Sequence, residues 1–453
     1  MGINIIVTFT TKGFGIGNDN KIPWNIKEDL KHFQEITFGS TIVMGRKTWE
    51  SLPKRPLKNR KNVVLSSNEH VDGADVHVKS FEELDELIKF EENVFIIGGE
   101  SLYRYYLKLA DNVYATLIEK DVAYDRRFPI DNMDMFDIDD FSPMNYSEEE
   151  KCNYRYMKYT RKSTQHGEHQ YLNLVRDIIE NGQTRSDRTG VGTKSVFARQ
   201  IRFDISKSIP ILTTKFVPFK LTIKELLFFL RGESDSKILE SQGVNIWRDN
   251  TTREFLDKRG LTQYTEGTLG PMYGFVWRHF GADYEGSHVN YANKGIDQIT
   301  NLIEGLKKDP YSRRHLLTTY CPSYNDQGVL IPCHGIVVQF HVEEQNQLSC
   351  HMYQRSMDTA LGCPINIASY SILTHIIAKL CDLKPKELVI STGDTHVYLT
   401  HIEPLKEQLR RSLLPFPILN MNIDKKSIDE LDVGDFELIG YLHHPTIKMS
   451  MAV

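Results

Sequence analysis

Short apolar runs recur through the first third of the chain. Residues 3–9, 41–44, 62–65 and 94–97 are rich in β-branched and other apolar side chains, which favour strands. A polar segment compatible with a helix separates each run from the next. Alternation of this kind predicts an α/β domain with a mostly parallel sheet.

Two of these runs end in glycine turns. Gly45 follows the second run and Gly98-Gly99 follows the fourth, each at a predicted strand-to-helix junction. Unpaired N–H groups at such junctions bind anions, although tight turns also use glycine without any ligand. Residues 13–17 imitate a dinucleotide fingerprint, but the third glycine is missing and Pro23 breaks any following helix. We expect a loop there.

One carboxylate shares a predicted helix face with apolar residues. Asp29, Leu30 and Phe33 fall at helical spacing after Pro23 and Trp24. A carboxylate on such a face suits a site that binds a protonatable ring. The alternative is an acid in the first turn, favoured only by the helix dipole.

A second candidate centre lies far along the chain. Cys333 follows a proline and precedes His334, and Arg355-Ser356 comes about twenty residues later. A thiol attacks well only as thiolate, and a neighbouring arginine lowers its pKa. This pattern suggests a thiol nucleophile beside an anion site, although a buried cysteine that acts as a small apolar residue is the commoner interpretation of Pro-Cys-His.

Arginines in several segments suit one phosphate group. A guanidinium matches phosphate oxygens in pairs, and Ser356 adds a hydroxyl. The alternative for any single arginine is a solvated surface charge. The four candidates are Arg188, Arg313, Arg314 and Arg355.

Composition narrows the class of protein. The 453 residues suffice for two or three domains, and a net charge of −5 gives no basic surface for nucleic acid. We find no membrane span, signal peptide or Cys-x-x-Cys pair, so the six cysteines are expected to be reduced in a cytoplasmic setting. The acidic run at residues 131–140 lacks the glycine of a calcium loop and is expected to be a solvated loop. No metal site is expected.

Residues 166–453 resemble thymidylate synthase over their whole length. The likeness is carried by residues 166–168, 170–172, 187–190, 223–227, 269–274, 309–314, 330–335, 353–356, 361–370, 393–398 and 451–453. The resemblance implies an α+β domain in which Cys333 attacks C6 of the uracil of dUMP. It further implies that 5,10-methylenetetrahydrofolate supplies both the carbon and the hydride of the new methyl group, giving dTMP and dihydrofolate.

The same resemblance implies roles for individual residues. Glu225 is expected to organise proton transfers, and Asn366 to read the uracil edge. Trp247, Asn250 and Asp358 are expected to border the folate. The residues expected around dUMP are Arg188, Arg355 and Ser356 at the phosphate, Arg313 and Arg314 from the other subunit of a homodimer, His396 and Tyr398 at the ribose, and His334, Gln354, Asp358 and Asn366. Arg248 departs from the family, which often has an acid there.

Residues 3–161 resemble dihydrofolate reductase. The motifs are Gly17, Pro23-Trp24, residues 45–51, Arg60, Ser66-Ser67 and Gly98-Gly99, with a last strand at residues 154–161. The resemblance implies that Asp29 binds the pteridine while NADPH delivers hydride. Trp24 and Thr116 are expected near Asp29, Val7 and Thr8 along the pteridine, Phe33 at the pteridine and benzoyl rings, and Arg60 at the glutamate tail.

The resemblance also implies a binding site for NADPH. Glycines and small polar residues are expected at the pyrophosphate, and cationic ones at the 2′-phosphate. The set is Gly17, Gly45, Arg46, Lys47, Thr48, Ser66, Ser67, Gly98, Gly99, Glu100, Ser101 and Tyr103. Glu100 is an acid where the family commonly has a smaller residue, so it suits this set only if its carboxylate points away from phosphate.

Both resemblances together identify the chain as a member of the family of fused reductase–synthase enzymes. We expect a reductase domain at residues 1–162, a linker at 163–165 and a synthase domain at 166–453, which forms a homodimer. Three alternatives remain: a vestigial first domain, RNA binding, and a related pyrimidine hydroxymethylase. Against the hydroxymethylase alternative, the amide of Asn366, where an acid would suit cytosine, favours uracil as the base.

Overall fold

The chain folds as two compact units. The computed structural model describes residues 2–68, 70–187, 190–422, 424–425 and 427–450. The first unit comprises Met1–His166 with Ser412–Pro415, and the second comprises Gly167–Arg411 with Phe416–Val453.

The first unit contains eleven of the strands and four of the α-helices found in the described residues. The strands are β1 (Gly2–Thr10), β2 (Gly15–Gly17), β3 (Thr41–Gly45), β4 (Lys61–Leu65), β5 (Val76–Val78), β6 (Asn93–Gly98), β7 (Asn112–Ile118), β8 (Arg126–Arg127), β9 (Phe136–Phe141), β10 (Asn145–Ser147) and β11 (Cys152–Arg161). The helices are α1 (Lys27–Ile36), α2 (Arg46–Ser51), α3 (Phe81–Ile88) and α4 (Glu100–Tyr106), with a 3-10 turn at Met133–Met135.

A mostly parallel sheet forms the centre of this unit, as predicted. Its order is β10-β11-β7-β1-β6-β3-β4-β5, and β9 pairs with β11. The pairs β1–β6, β1–β7, β3–β6, β3–β4 and β4–β5 are parallel, whereas β11 runs antiparallel to β7. A helix lies between consecutive parallel strands except β4 and β5, because a parallel connection must cross back over the sheet.

The four apolar runs coincide with β1, β3, β4 and β6, whose inner residues are buried. Residues 15–17 were expected to lie in a loop but form β2, which pairs with β8. The reason is that the main chain of Gly15 and Gly17 finds partners at Arg127 and Arg126, a pairing that the local sequence does not reveal.

Buried side chains fix the entry of α1. Trp24 and Ile26 lie just before the helix and pack in one cluster with Ile118 and Tyr154. Their burial anchors the start of α1 against the sheet, so that Asp29 in its first turn faces β1 and β7.

The second unit contains eight strands and eight α-helices within the described residues. The strands are β12 (Gln183–Arg185), β13 (Thr193–Asp204), β14 (Leu316–Leu317), β15 (Val337–Glu343), β16 (Gln347–Asp358), β17 (Lys384–Tyr398), β18 (Ile418–Met421) and β19 (Phe436–Ile439). The helices are α5 (Glu168–Asn181), α6 (Phe219–Leu230), α7 (Ser236–Ser241), α8 (Arg253–Lys258), α9 (Gly274–His279), α10 (Gln298–Lys308), α11 (Gly362–Leu380) and α12 (Ile402–Gln408). Short 3-10 turns occur at Pro322–Tyr324, Glu344–Asn346, Leu399–His401, Ile428–Glu430 and Val433–Asp435.

The larger sheet of the second unit has the order β12-β13-β17-β16-β15-β14. The pair β16–β17 is parallel, and the others are antiparallel. Helix α11 packs against β16 and β17 and is apolar around most of its circumference, which is typical of a helix buried in a core. This mixture of a sheet and packed helices is the predicted α+β class.

Across the described residues, no helix is both long enough and apolar enough to traverse a lipid bilayer.

Candidate active sites

Main-chain bonds fix the position of Cys333 in the second unit. The N–H of Cys333 donates to the hydroxyl of Tyr273 at 3.0 Å, and its carbonyl accepts the N–H of Arg355 at 2.8 Å. The guanidinium of Arg355 donates to the carbonyls of Ile331 and Pro332 at 3.2 and 3.4 Å. A fixed positive charge therefore lies beside the segment that carries the thiol.

His334 is held as a neutral ring. It stacks on Tyr273 with the ring centroids 4.5 Å apart, and its Nδ1 is hydrogen-bonded to the hydroxyl of Tyr370 at 2.9 Å. Burial lowers the pKa of His334 to about 4. The cation near Cys333 is therefore Arg355, since His334 carries no charge near neutral pH.

Glu225 is a half-buried residue on α6. The indole N–H of Trp247 donates to its Oε1 at 2.9 Å. Burial raises the pKa of Glu225 to about 7, and the bond from Trp247 works in the opposite direction. A carboxyl that titrates near neutral pH can both release and take up a proton in this pocket.

Asn366 lies in the first turns of α11 and is nearly buried. Its side-chain amide donates to Oε1 of Gln354 at 3.1 Å, and the amide of Gln354 donates to the carbonyl of Ser356 at 3.2 Å. The two amides therefore orient each other beside the strand that carries Arg355. Asp358, at the end of the same strand, accepts the N–H groups of residues 360 and 361 at 2.9 and 3.2 Å.

The predicted ribose contacts lie on β17. Nδ1 of His396 is hydrogen-bonded to Asp394 at 2.8 Å, and its ring meets Tyr398 edge-on with centroids 5.5 Å apart. Because β16 and β17 pair in parallel, Ser356 lies opposite Asp394 and Asp358 lies opposite His396. The register thus places the predicted phosphate and ribose residues on neighbouring strands.

Two predicted arginines are not brought into this group by the chain itself. Arg313 and Arg314 are exposed in the segment after α10. Within the described ranges, no hydrogen bond or ion pair engages either guanidinium. Arg188 lies outside the described residues.

Two of the folate-side predictions, Trp247 and Asn250, lie close together in the chain. Trp247 contacts Glu225 directly, and Asn250 follows it in the same turn-rich segment. Arg248, the departure from the family, is ion-paired with Glu240 at 3.4 Å. Glu240 lies on α7 and is also ion-paired with Lys237 at 3.3 Å.

Asp29 in the first unit has one hydroxyl on each carboxylate oxygen. Thr116 donates to Oδ1 at 2.6 Å and Thr8 donates to Oδ2 at 2.8 Å. Burial raises the pKa of Asp29, whereas the bonds from Thr116 and Thr8 lower it. Thr8 and Thr116 are direct partners across β1 and β7, so both hydroxyls leave the sheet on the same face.

His32 lies one helical turn after Asp29. Its ring stacks on Tyr156 of β11 with centroids 3.8 Å apart. Tyr156 is in turn the cross-strand partner of Thr116. Burial lowers the pKa of His32, and the neighbouring carboxylate of Asp29 raises it by a smaller amount.

The structure also places the remaining residues that were predicted at the pteridine. Val7 is buried on β1, and Trp24 is buried with an indole N–H that has no hydrogen-bond partner among the described residues. Arg60 places its guanidinium 5.7 Å from the ring centre of Phe33. Burial lowers the pKa of Arg60, which also donates to the hydroxyl of Thr37 at 3.3 Å.

The two glycine turns lie side by side. They follow β3 and β6, which are parallel neighbours and therefore end at the same edge of the sheet. A Cβ atom on Gly98 would lie 2.9 Å from Oγ1 of Thr48, and one on Gly45 would lie 3.9 Å from the nitrogen of Gly99. The close approach of Thr48 and the backbone conformation of Gly98, with φ at 147°, require glycine at position 98.

Of the other residues predicted at the cofactor, some have exposed side chains and others are ion-paired within the first unit. Lys47, Ser67 and Ser101 are exposed. Arg46 is ion-paired with Glu50 at 2.7 Å, and Glu100 with Arg104 at 3.2 Å, so the carboxylate of Glu100 already has a cationic partner.

Three further residues predicted at the cofactor take part in the internal structure of the first unit. Tyr103 is buried and donates to the carbonyl of Ile6 at 3.0 Å, while Ser66 accepts the N–H of Asn68 at 3.1 Å. Gly17 lies in β2. No group of three or more His, Cys, Asp or Glu in the described part of the chain is arranged to hold a metal ion.

The sequence did not single out Tyr273, Tyr370 or His32. Tyr273 and Tyr370 lie within the motifs quoted above, but their contacts with Cys333 and His334 span 60 and 36 positions. His32 could have been noticed from its i+3 spacing to Asp29.

Comparison with known proteins shows the family of each unit. The family model for thymidylate synthase matches residues 169–453, and the one for dihydrofolate reductase matches residues 2–161. Bifunctional dihydrofolate reductase-thymidylate synthases from Zea mays and Paramecium tetraurelia are 39% and 40% identical; each alignment covers 99% of this chain and 96% or 98% of the relative. The one from Leishmania amazonensis is 38% identical, with 99% and 95% covered. The chain therefore belongs to the bifunctional dihydrofolate reductase–thymidylate synthase family.

Proposed function

We propose that the second unit methylates dUMP to dTMP at Cys333 and that the first unit reduces the resulting dihydrofolate at Asp29. The fixing of the Cys333 main chain by Tyr273 and Arg355 supports the synthase half. The hydrogen bonds from Thr8 and Thr116 to the two carboxylate oxygens of Asp29 support the proposed reductase activity.

In the synthase reaction, the thiolate of Cys333 forms a bond to C6 of the uracil, and the electron pair moves onto C5. C5 then bonds to the methylene carbon of 5,10-methylenetetrahydrofolate as the bond from that carbon to one of its two folate nitrogens breaks. C5 next loses its proton as the bond from the same carbon to the other folate nitrogen breaks. A hydride from the folate completes the methyl group as Cys333 leaves, which yields dTMP and dihydrofolate. Glu225 suits the proton transfers because its pKa of about 7 lets it alternate between acid and base.

Recognition of dUMP follows from the surrounding groups. Asn366, oriented by Gln354, offers an amide to the uracil edge, and His396 and Tyr398 face the ribose. Arg355, Ser356 and Arg188 take the phosphate, while Trp247, Asn250 and Asp358 border the folate.

We propose that Arg313 and Arg314 come from the second subunit of a homodimer. Both are exposed and engage no other described side chain. The β15–β16 ladder also exposes an apolar cross-strand pair, Val337 and Tyr353, with 39% and 37% of their surfaces accessible. A dianionic phosphate gains most from converging guanidinium groups in a partly dehydrated pocket, which the second subunit supplies.

In the reductase unit, the ionised Asp29 balances the charge of a protonated pteridine. Val7, Thr8, Trp24, Phe33 and Thr116 border the ring. Arg60 lies beyond Phe33, where a guanidinium suits the carboxylates of the glutamate tail.

The paired glycine turns fit a dinucleotide. Main-chain groups at Gly45, Gly98 and Gly99 face the pyrophosphate, with Thr48 and Ser101 beside them. Lys47 and Ser67 are exposed and available for the 2′-phosphate, and Arg46 joins them by exchanging its partner Glu50. NADPH, when bound there, supplies the hydride that reduces dihydrofolate.

Several finer proposals accompany this assignment. Residues 163–165 link the two enzymes, and the protein works in the cytoplasm, consistent with six free cysteines. RNA binding is retained as a secondary proposal, to be tested by titration at increasing salt, which weakens phosphate contacts.

One coupled assay tests both activities. Supplying dUMP, methylenetetrahydrofolate and NADPH should yield dTMP and tetrahydrofolate. The variant Cys333→Ala should form no dTMP yet still oxidise NADPH when dihydrofolate is added. A wild-type chain that makes dTMP but never oxidises NADPH would instead have a vestigial first unit.

A further inference from the structure

The carboxylate of Asp29 is held from two strands at once. Thr116 was expected behind it, whereas Thr8 was expected only to line the pteridine. Both nevertheless donate to Asp29, to different oxygens, from residues 108 positions apart that pair across β1 and β7. Among the described residues, no other side chain donates to this carboxylate.

Two opposing effects act on the charge of Asp29. Burial favours the neutral acid, and hydroxyl donors favour the ionised form. Each carboxylate oxygen has more than one acceptor direction, so a bond from a threonine leaves room for a bond from a substrate. With a donor on each oxygen, rotation about the bond to the carboxyl carbon would break one of them.

We propose that Thr8 is a positioning residue of the reductase site: its hydroxyl holds the second oxygen of Asp29 and so keeps the carboxylate ionised and in one plane for the pteridine. The proposal rests on the proposed reductase function. It assigns Thr8 an action through Asp29 rather than a contact with the pteridine alone.

Other titratable groups also face Asp29. His32 of α1 and Tyr154 and Tyr156 of β11 interact electrostatically with Asp29, and Glu28, the residue before Asp29, interacts with both tyrosines. Protonation of His32 would lower the pKa of Asp29, and burial raises the pKa of both tyrosines, so they stay neutral below pH 8. These four residues are the same in every variant at position 8. A difference in the pKa of Asp29 between such variants therefore measures the effect of the Thr8 hydroxyl.

Three variants separate the hydroxyl from the shape of the side chain. Thr8→Val keeps the branched shape and removes the donor, while Thr8→Ser keeps the donor and removes the methyl group. Thr160→Val is a matched control, because Thr160 is a strand threonine that donates to Asn112 at 2.9 Å instead of to Asp29. The synthase rate of each full-length variant checks that the chain is intact.

Two measurements on the full chain decide the matter. Infrared difference spectra against Asp29→Asn, recorded over a pH series without ligands, give the pKa of Asp29. Thr8→Val should raise it by about one unit and should lower kcat/KM for dihydrofolate at pH 7 about tenfold or more, because a hydrogen bond to a charged group is lost. Thr8→Ser should restore most of both.

Equal infrared titrations of wild type and Thr8→Val would overturn the proposal. So would equal losses in Thr8→Val and Thr8→Ser, which would indicate packing. If wild type itself failed to reduce dihydrofolate with NADPH while the infrared shift was present, the hydroxyl would still hold Asp29, and the proposed reductase activity would be the part in error.

Discussion

The indole N–H of Trp247 donates to Oε1 of Glu225 at 2.9 Å, and this bond opposes the effect of burial on the same carboxyl. Without this bond, the protonated form of Glu225 would be favoured still more over the ionised form. The residue expected to border the folate thus also sets the acidity of the group expected to move protons.

Trp247→Phe should therefore raise the pKa of Glu225 above about 7, by roughly one unit for a lost donor. The pH profile of dTMP formation should move to higher pH in the limb that reports Glu225. Trp277→Phe is the control, since Trp277 is a buried tryptophan of the same unit whose indole N–H has no partner in the described structure. If the pH profile of Trp247→Phe is not shifted, the measured limb does not report the titration of Glu225.

Asp29→Asn should lower reductase turnover by orders of magnitude near neutral pH, because an amide cannot balance a protonated pteridine. The synthase rate should barely change. Asp85→Asn is a matched control: Asp85 accepts the hydroxyls of Tyr105 and Tyr106 at 2.6 and 2.7 Å in the same unit. Loss of reduction in both variants alike would point to folding rather than to chemistry.

Arg313→Ala and Cys333→Ala, each inactive as a synthase, should regain activity when mixed under subunit exchange. Random mixing gives about half heterodimers, each with one site carrying both lesions and one carrying neither, so roughly a quarter of wild-type activity should return. Cys333→Ala mixed with Glu225→Gln should not recover, because both lesions fall in residues that a chain supplies to its own site. Absence of recovery despite confirmed exchange would show that each chain uses its own Arg313.

His375 should make the synthase unit sensitive to acid. It is buried on α11, donates to the carbonyl of Ile205 at 3.0 Å, and burial lowers its pKa from 6.5 to about 4. Because the unfolded chain takes up a proton below pH 6.5 and the folded one does not, stability falls between pH 6.5 and 4, by roughly 3 kcal/mol in all.

His375→Gln should flatten this part of the curve of unfolding free energy against pH, measured by denaturant titration at each pH. His341→Gln, at an exposed position on β15, is the matched substitution of a surface histidine in the same unit. If the slopes of wild type and His375→Gln agree, His375 takes up its proton in the folded state without penalty.

Local patterns in the sequence were sufficient for much of the fold. Apolar runs predicted β1, β3, β4 and β6, because a strand buried on both faces needs a continuous apolar stretch. Helical spacing predicted that Asp29 shares a face with Phe33 on α1. These features depend on neighbours only a few positions away.

Contacts between distant positions could not be predicted in this way. The bond from Cys333 to Tyr273 depends on how two loops meet, and the bond from Thr8 to Asp29 depends on the register between strands. Likewise, the partner of Arg313 is not defined by the sequence of one chain if it lies on another subunit.

The pairing of Thr8 with Thr116 makes reductase activity a measure of folding fidelity. Successive side chains on a strand point to opposite faces, so a shift of one residue between β1 and β7 would turn one hydroxyl away from Asp29. Misaligned molecules would then form a distinct, weakly active population. After refolding, the specific activity of the reductase would measure the fraction of chains in which β1 and β7 had paired in the correct register.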